Sequence, residues 1–154
     1  MNRVFSTDRP AVRGVTHMVS SGHYLASAAA YRVLEDGGNA VDAGVAAGIV
    51  LGVSLPNLVS FGGVAPIALY MAEKDEVSTI SGLGRWPRGV TIDYLVERAE
   101  GGVPPPMLQC VVPAACDAWL TALERYGTMT FEQVVTPALE LCETGFVIQG
   151  ILAH

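Results

Sequence analysis

Charged residues are scarce in this chain, and their scarcity limits the classes of protein to which it can belong. Only 16% of the 154 residues are charged, while 51% are hydrophobic; ordinary soluble domains contain roughly 25% charged residues. The longest nearly uncharged apolar stretch, residues 43–55, is shorter than the ~20 residues that a membrane-spanning helix needs. The composition therefore predicts no membrane span, and it favours a chain whose apolar faces are covered by further polypeptide.

Clustered positive charge is also missing. Lys74 is the only lysine, and the net charge is −6. Neutralisation of phosphates supplies most of the affinity of proteins for nucleic acids. We therefore expect no nucleic-acid partner.

Cysteine is too rare and too irregularly spaced for a disulfide framework. Cys110, Cys116 and Cys142 are odd in number and form no C-x-x-C pair, which argues against disulfides and against a zinc site. They are predicted to be small buried apolar residues. The histidines are scattered, and no G-x-G-x-x-G or P-loop string is present, so neither a metal nor a cofactor is predicted.

The beginning of the chain lacks the apolar segment of a signal peptide. Residues 1–14 are polar and predict an irregular arm, followed by one domain over residues 15–154. The expected location is the cytoplasm, or the periplasm if a signal has been removed.

A close pair of helices forms the centre of what is present. Residues 23–36 show helical periodicity, with Leu25, Ala28, Ala29 and Val33 near one face. Gly37 ends this helix, and Asn39 is a good N-cap for a second helix that reaches residue 55. The second helix is rich in alanine and glycine, which predicts close approach of other backbones, because each internal glycine costs roughly 1 kcal/mol.

Short segments of β type flank this pair. Residues 15–20, VTHMVS, predict a strand. Residues 66–71 and 77–81 predict a hairpin, and their apolar runs without strict alternation are typical of a sheet covered on both faces. Farther along, Thr91 predicts a helix N-cap and residues 114–126 a helix. Thr130 with Gln133 predicts a capping box for a last helix, which the Thr136-Pro137 pair is expected to interrupt or restart.

Two places carry candidate chemistry. Ser20 and Ser21 lie near His23, but residues two apart rarely face each other, and no acid that could orient a base is close in sequence. Arg85 follows a predicted strand inside the glycine-flanked loop GLGRWPRG. A guanidinium can hold a carboxylate with two parallel hydrogen bonds, although the residues alone favour an ordinary arginine at the surface or in an ion pair.

Four stretches together resemble the γ-glutamyltranspeptidase family. LASAAAYRVLEDGGNAVDAGVAAGIVLGVSLP is similar to the family's LAS-x-A-G helix followed by GGNAVDAAVAA, at the beginning of the heavy subunit. SFGGVAPIALY is similar to its glycine-rich loop and strand, and GLGRWPRGVT to its GRE-x-AP-x-x-x-T segment. The fourth stretch, from VVPAACDAW to ETGF, is similar to its VPG…YG…PA…GF pattern, so the resemblance covers residues 15–145.

The resemblance implies an N-terminal-nucleophile hydrolase with an αββα four-layer sandwich, of which an α/β part, incomplete in this chain, is expected here. In that family a precursor cleaves itself, and the new N-terminal threonine of the small subunit attacks a γ-glutamyl amide. The acyl-enzyme then passes to water or to an amine, with an oxyanion hole stabilising the intermediate. The implied activity is that of a hydrolase or acyltransferase without a cofactor.

The resemblance also assigns a role to one loop residue. The family's arginine for the substrate carboxylate maps onto Arg85. Trp86 replaces a glutamate of the pattern, and the alignment is one residue short, so Arg88 is a rival for this role. These departures leave the acyl group open.

No small-subunit sequence is recognisable, so no catalytic residue is assigned to this chain. The expected partners are a small-subunit chain, or remaining large-subunit polypeptide, that bears the N-terminal threonine, and a small amide substrate with a carboxylate. The alternative is a free-standing scaffold or binding module, derived from the family and without catalysis.

Overall fold

The computed structural model of the chain describes residues 11–148. Within this range the chain forms a mixture of helices and one small sheet, with a short 3-10 helix at Pro106–Leu108. The helices and strands are α1 (Tyr24–Glu35), α2 (Ala40–Ser54), β1 (Ile67–Met71), β2 (Glu76–Ile80), α3 (Ile92–Ala99), α4 (Ala115–Tyr126) and α5 (Phe131–Thr144). The α/β class predicted from the sequence is confirmed. Residues 1–10 of the predicted arm lie outside the described residues.

The two central helices begin and end where the sequence predicts. Gly37 has a φ of 92°, a left-handed conformation that glycine adopts without strain. The Asn39 side chain accepts hydrogen bonds from the backbone N–H groups of Val41 and Asp42, at 2.8 and 3.1 Å. Asp42 completes a capping box by accepting from the Asn39 N–H at 2.8 Å. These caps satisfy backbone donors that the first turn of α2 would otherwise leave unpaired.

Helix α2 lies at the centre of the core, and α1, α4 and α5 pack around it. The buried residues are mostly small, which lets the helices approach one another closely. Gly48 shows how close this packing is, because a Cβ at that position would lie 2.9 Å from Trp119 Nε1 of α4. The fully or almost fully buried core residues are Ala26, Ala30, Val33, Val45, Ala46, Ile49, Val50, Ala115, Trp119, Ala122, Val134 and Ala138.

A buried carboxylate joins α2 to the α4–α5 connection. Asp42 is fully buried and accepts hydrogen bonds from the Thr128 hydroxyl at 2.7 Å and from the backbone N–H groups of Thr128 and Met129 at 3.1–3.2 Å. The Asn39 amide donates to the Tyr126 carbonyl at 2.7 Å. Gly127 allows this approach, since a Cβ there would meet Asp42 Oδ1 at 2.7 Å. A buried charge is tolerable only with such a set of donors; the set holds the two segments together.

The hairpin pairs β1 and β2 antiparallel, with Ile67 opposite Ile80 and Met71 opposite Glu76. The Lys74 N–H donates to the Met71 carbonyl at 3.1 Å within the turn. The two-stranded pairing confirms the predicted hairpin. Helix α3 follows, capped by Thr91, whose hydroxyl accepts from the Tyr94 N–H at 3.2 Å.

Two predictions about regular structure were wrong: a strand at residues 15–20 and a break in the last helix at Pro137. Residues 15–20 contain no strand, because a β-type sequence forms a strand only beside a partner strand, and none lies next to it within residues 11–148. Helix α5 runs through Pro137 without interruption. The ring is buried in the core, and the Thr136 hydroxyl bonds the Glu132 carbonyl at 2.7 Å, so packing outweighs the lost backbone hydrogen bond.

The burial predicted for several side chains was also wrong. All three cysteines are exposed, because Cys116 and Cys142 lie on the outer sides of α4 and α5 and Cys110 lies in the preceding loop. In α1 the buried face consists of Ala26, Ala29, Ala30 and Val33, whereas Ala28 is exposed. The core face of α1 is thus rotated from the one predicted.

Candidate functional site

The glycine-rich loop after β2 is fixed by backbone contacts at both of its first glycines. Gly82 has a φ of 59° and is buried, and its carbonyl accepts from the Ala65 N–H at 3.0 Å. The Gly84 N–H donates to the Val112 carbonyl at 3.1 Å, and a Cβ at Gly84 would lie 2.7 Å from that oxygen. Glycine is required at both positions because other backbone lies against them. The loop therefore leaves the sheet along a defined path.

The same region anchors the beginning of α4. The Gly63 carbonyl accepts from the N–H groups of Ala114 and Ala115, at 2.9 and 3.2 Å. Three stretches that are distant in sequence, near residues 63–65, 82–84 and 112–115, thus meet at one place. Arg85 is the first residue beyond this junction.

The side chains beyond the junction are open to solvent. Arg85 and Arg88 are exposed, and Trp86 is 43% exposed. Neither arginine forms an ion pair with any residue from 11 to 148. The structure places the predicted anchor and its rival in the same loop, three positions apart. An unpaired guanidinium on a fixed backbone can hold an incoming carboxylate through two hydrogen bonds.

Arg32 and Arg98 differ from Arg85 because their guanidinium groups contact other residues of the chain. Arg32 Nη1 donates to Glu140 Oε2 at 2.7 Å, and this hydrogen bond raises the pKa of Arg32 above its ordinary value. Arg98 lies over the Tyr94 ring at 3.6 Å and 3.6 Å from Glu97. These contacts engage Arg32 and Arg98 within the chain. Four other arginines form no ion pair among residues 11–148, and of these only Arg85 and Arg88 lie in the glycine-rich loop; the four are Arg13, Arg85, Arg88 and Arg125.

The serine and histidine pair does not form a nucleophile and base. His23 Nδ1 accepts from the Leu25 N–H at 3.2 Å and caps α1. Ser21 Oγ donates to the His23 carbonyl at 2.8 Å and lies 2.7 Å from Ser27 Oγ. The imidazole nitrogen that could accept a proton from a serine is therefore already used by the helix.

The remaining histidines are not gathered into a metal site. His17 Nε2 lies 3.1 Å from Glu35 Oε1, and His154 lies outside the described residues. Among residues 11–148 no group of three or more histidine, cysteine or acidic side chains is arranged to hold a metal ion.

A cavity that no sequence motif indicated lies beside the hairpin. It has a volume of about 640 Å³ and is bordered by β1, the hairpin turn, the beginning of α2 and the end of α4. Lys74 and Arg125 are among its lining residues, together with Tyr70 and Tyr126. Its residues come from three separate stretches, 39–41, 68–74 and 125–128, so no local pattern in the sequence could have indicated it.

Comparisons with known proteins place the chain in a class and then in a family. The fold is that of γ-glutamyltranspeptidases: the Helicobacter pylori γ-glutamyltranspeptidase crystal structure superposes with a TM-score of 0.79 at 29% identity, covering 94% of this chain and 42% of that chain. The family model for Gamma-glutamyltranspeptidase matches residues 26–154. The chain belongs to the γ-glutamyltranspeptidase family, as the motifs predicted.

Curated relatives support this family and show how much of them the chain represents. It is 34% identical over 142 residues to the glutathione hydrolase-like YwrD proenzyme of Bacillus subtilis, covering 91% of this chain and 27% of the relative. It is 31% identical over 175 residues to the acylase ACY 1 proenzyme of Pseudomonas sp. strain SE83, covering 97% of this chain and 28% of the relative. The chain thus spans about a quarter of the length of these relatives. Within residues 11–148, no helix has both the length and the apolar composition to cross a bilayer.

Proposed function

We propose that this chain is the N-terminal piece of an amidohydrolase or acyltransferase of the γ-glutamyltranspeptidase type. The nucleophile is an N-terminal threonine carried by another chain or by further polypeptide, and this piece contributes scaffold and an arginine that binds the substrate carboxylate. The proposal draws on the family membership and on relatives that are named as glutathione hydrolase-like and acylase proenzymes.

Arg85 is the residue that we propose as the carboxylate anchor. The observation that carries this role is its position: exposed, without an ion pair among residues 11–148, and directly after a backbone junction fixed at Gly82 and Gly84. A fixed backbone reduces the entropy lost when the guanidinium binds a carboxylate. Arg88 is three residues farther along and without such a junction beside it, which makes it the weaker candidate.

The substrate class that follows is a small amide whose acyl part carries a carboxylate. The carboxylate would bind Arg85, which would orient the amide carbonyl towards the threonine on the other polypeptide. The loop residues 81–90 contain two arginines, a tryptophan and no acidic residue, so this loop offers no counter-charge to a substrate ammonium group. Whether water or an amine accepts the acyl group depends on residues outside this chain.

Substitution of Arg85 tests the anchor in the complete enzyme, in which this chain is combined with the polypeptide that bears the threonine. We expect Arg85→Ala to lower kcat/KM for a carboxylate-bearing amide by roughly 10- to 100-fold, because a hydrogen bond to a charged group contributes about 1.5–3 kcal/mol. Arg85→Lys should recover part of the loss, since an ammonium keeps the charge but not the two parallel bonds.

Two further variants distinguish loss of the carboxylate anchor from a general loss of activity. Arg98→Ala, in α3, should leave kcat/KM within about twofold, because Arg98 contacts only its own helix. An unchanged kcat/KM for Arg85→Ala together with a large loss for Arg88→Ala would transfer the role to Arg88. If the combined polypeptides formed a stable complex and cleaved no amide, the scaffold-module alternative would replace the enzyme.

A further inference from the structure

The two tryptophans of this chain have opposite surroundings. Trp119 is 4% exposed, and its ring meets Phe61 edge-to-face with 5.1 Å between the ring centroids. Trp86 is 43% exposed, and no aromatic pair or cation–π contact within residues 11–148 involves it. Packing thus explains Trp119 but not an indole at position 86. Tryptophan is enriched at places where proteins bind other molecules, so Trp86 is a candidate contact for a ligand.

The backbone around Trp86 is restrained from both sides. On one side the Gly84 N–H donates to the Val112 carbonyl at 3.1 Å. On the other side Pro87 begins a turn in which its carbonyl accepts from the Val90 N–H at 2.9 Å. The proline ring also disfavours a helical conformation at the residue before it, which is Trp86. The indole is therefore presented from a backbone with few alternative conformations, and this lowers the entropy lost on binding.

Trp86 lies between the two candidate carboxylate anchors, directly after Arg85 and two residues before Arg88. Both arginines are exposed and form no ion pair within residues 11–148. Whichever of them holds the carboxylate of an acyl group, Trp86 is a near neighbour of that anchor in a short loop. The part of the acyl group that such a neighbour contacts is the carbon beside the carboxylate, together with the substituent on that carbon.

An indole between two guanidinium groups favours an apolar substituent and disfavours a cation. Loop residues 81–90 contain no acidic side chain, and Trp86 replaces the glutamate of the family's pattern. An ammonium group would gain no ion pair from this loop and would be repelled by the arginine that does not hold the carboxylate. An indole face attracts cations, but a neighbouring guanidinium competes for that face. A flat apolar group, in contrast, gains from burial against the ring and from stacking on it.

We infer that Trp86 determines which acyl group is accepted. The carbon beside the anchored carboxylate carries an apolar, preferably flat, substituent that contacts the indole, and it carries no ammonium group. The substrate class is then an amide of a substituted dicarboxylic acid rather than of glutamate. This inference rests on the proposed function, because it requires an acyl group anchored by an arginine of the loop, and it goes further by naming the substituent that this chain selects.

Three amides with a common backbone test the inference in the complete enzyme, in which this chain is combined with the polypeptide that bears the threonine. All are 4-nitroanilides of glutaric acid, and the carbon beside the free carboxylate carries an amino group, a hydrogen or a phenyl group. Release of 4-nitroaniline gives kcat/KM for each compound. The variants are Trp86→Glu, which restores the charge of the family's pattern, and Trp86→Phe, which keeps a flat apolar ring. Phe131→Glu is the matched control, because Phe131 is 42% exposed and begins α5.

The expected result is a change of preference among the three compounds. The wild-type enzyme should cleave the phenyl compound at least roughly 10-fold better than the amino compound, because only the phenyl group gains from the indole. Trp86→Glu should reduce this ratio at least roughly 10-fold, and Trp86→Phe by less than about threefold. Phe131→Glu should leave the ratio unchanged. For the compound with hydrogen, kcat/KM should change by less than about threefold in each variant, since it offers the indole no substituent.

Two results would overturn the inference. One is an equal ratio for the wild type and Trp86→Glu, which includes an equal loss for all compounds; the other is a wild-type preference for the amino compound. The dissociation constants of the three compounds are measured by calorimetry on the same complex, so that binding and cleavage are recorded separately. Preferential binding of the phenyl compound that depends on Trp86, without cleavage, contradicts the proposed function and supports the inference. A complex that binds and cleaves none of the compounds contradicts both.

Discussion

The helical region, formed by α1, α2, α4 and α5, and the segment between Pro56 and Val112 differ sharply in burial. The helical region contains nearly all of the buried residues, including the fully buried Asp42. Between Pro56 and Val112 the only buried residue is Gly82, and α3 has none. The hairpin, the arginine loop and α3 thus leave about half of their apolar side chains exposed, among them Leu83, Ile92 and Val96.

The difference separates what the chain stabilises by itself from what it offers to other polypeptide. The helical region has caps, close packing and a satisfied buried charge, so its free energy of folding comes from within the chain. The segment with the candidate site packs only half-buried side chains, such as Ile67, Leu69 and Ile80, against the core, and backbone hydrogen bonds anchor its loops. Its exposed apolar side chains would gain stability only from an added surface.

The largest expected effect comes from the carboxylate that holds the helical region together. We expect Asp42→Ala to lower the free energy of unfolding by about 3 kcal/mol, since it leaves partly buried backbone N–H groups of Asn39, Thr128 and Met129 without their acceptor. The measurement is urea unfolding followed by far-ultraviolet circular dichroism. Asp36→Asn, at an exposed position, should change it by less than about 0.5 kcal/mol; a similar loss for both variants would contradict the role of Asp42.

Substitutions of two glycines in α2 should have smaller and opposite effects on the free energy of unfolding, and they test how closely this helix is packed. We expect Gly48→Leu to cost about 2 kcal/mol, because its Cβ would lie 2.9 Å from Trp119 Nε1 and overpack the core. Gly44→Leu, one turn earlier on the same helix, should gain up to about 1 kcal/mol from helix propensity. Both are measured by the same urea titration, and a gain for Gly48→Leu would show that α4 does not lie where the structure has it.

The smallest expected effects come from removing one helix cap in the helical region and one in the segment between Pro56 and Val112. Thr130→Ala removes the cap of α5 and should lower global stability by about 1 kcal/mol. Thr91→Ala removes the equivalent cap of α3, yet it should leave global stability unchanged and speed up hydrogen exchange only within α3, because α3 has no fully buried residue. Equal global losses would mean that the two regions unfold together and that the comparison fails.

Local signals explain why the helices could be predicted from the sequence. Asn39, Thr91 and Thr130 are caps whose effect depends on residues within one turn, and Gly37 stops a helix through its own φ. The hairpin could be predicted for the same reason. The position of Arg85 after a strand and between glycines was also local information, although its role stays a prediction.

The wrong or missing predictions concern features that depend on contacts between residues distant in the sequence. The strand predicted at residues 15–20 requires a neighbour, and Pro137 stays in α5 because the core accommodates its ring. The Asp42–Thr128 contact joins residues 86 positions apart, and nothing local to GGNAVDAG or YGTM indicates that these two strings meet. The backbone contact between Gly84 and Val112 could not be predicted either. The sequence therefore indicated the loop but not the contact that fixes its path.

The Asp42 contact also sets an order of events during synthesis. The segments around Asn39 and Thr128 leave the ribosome at very different times, so α1 and α2 emerge first with only their local caps to support them. The carboxylate stays hydrated until the α4–α5 connection arrives, and only then can the beginning of α2 be sealed from water. A nascent chain stalled before Thr128 would therefore present α2 with its first turn still open to water.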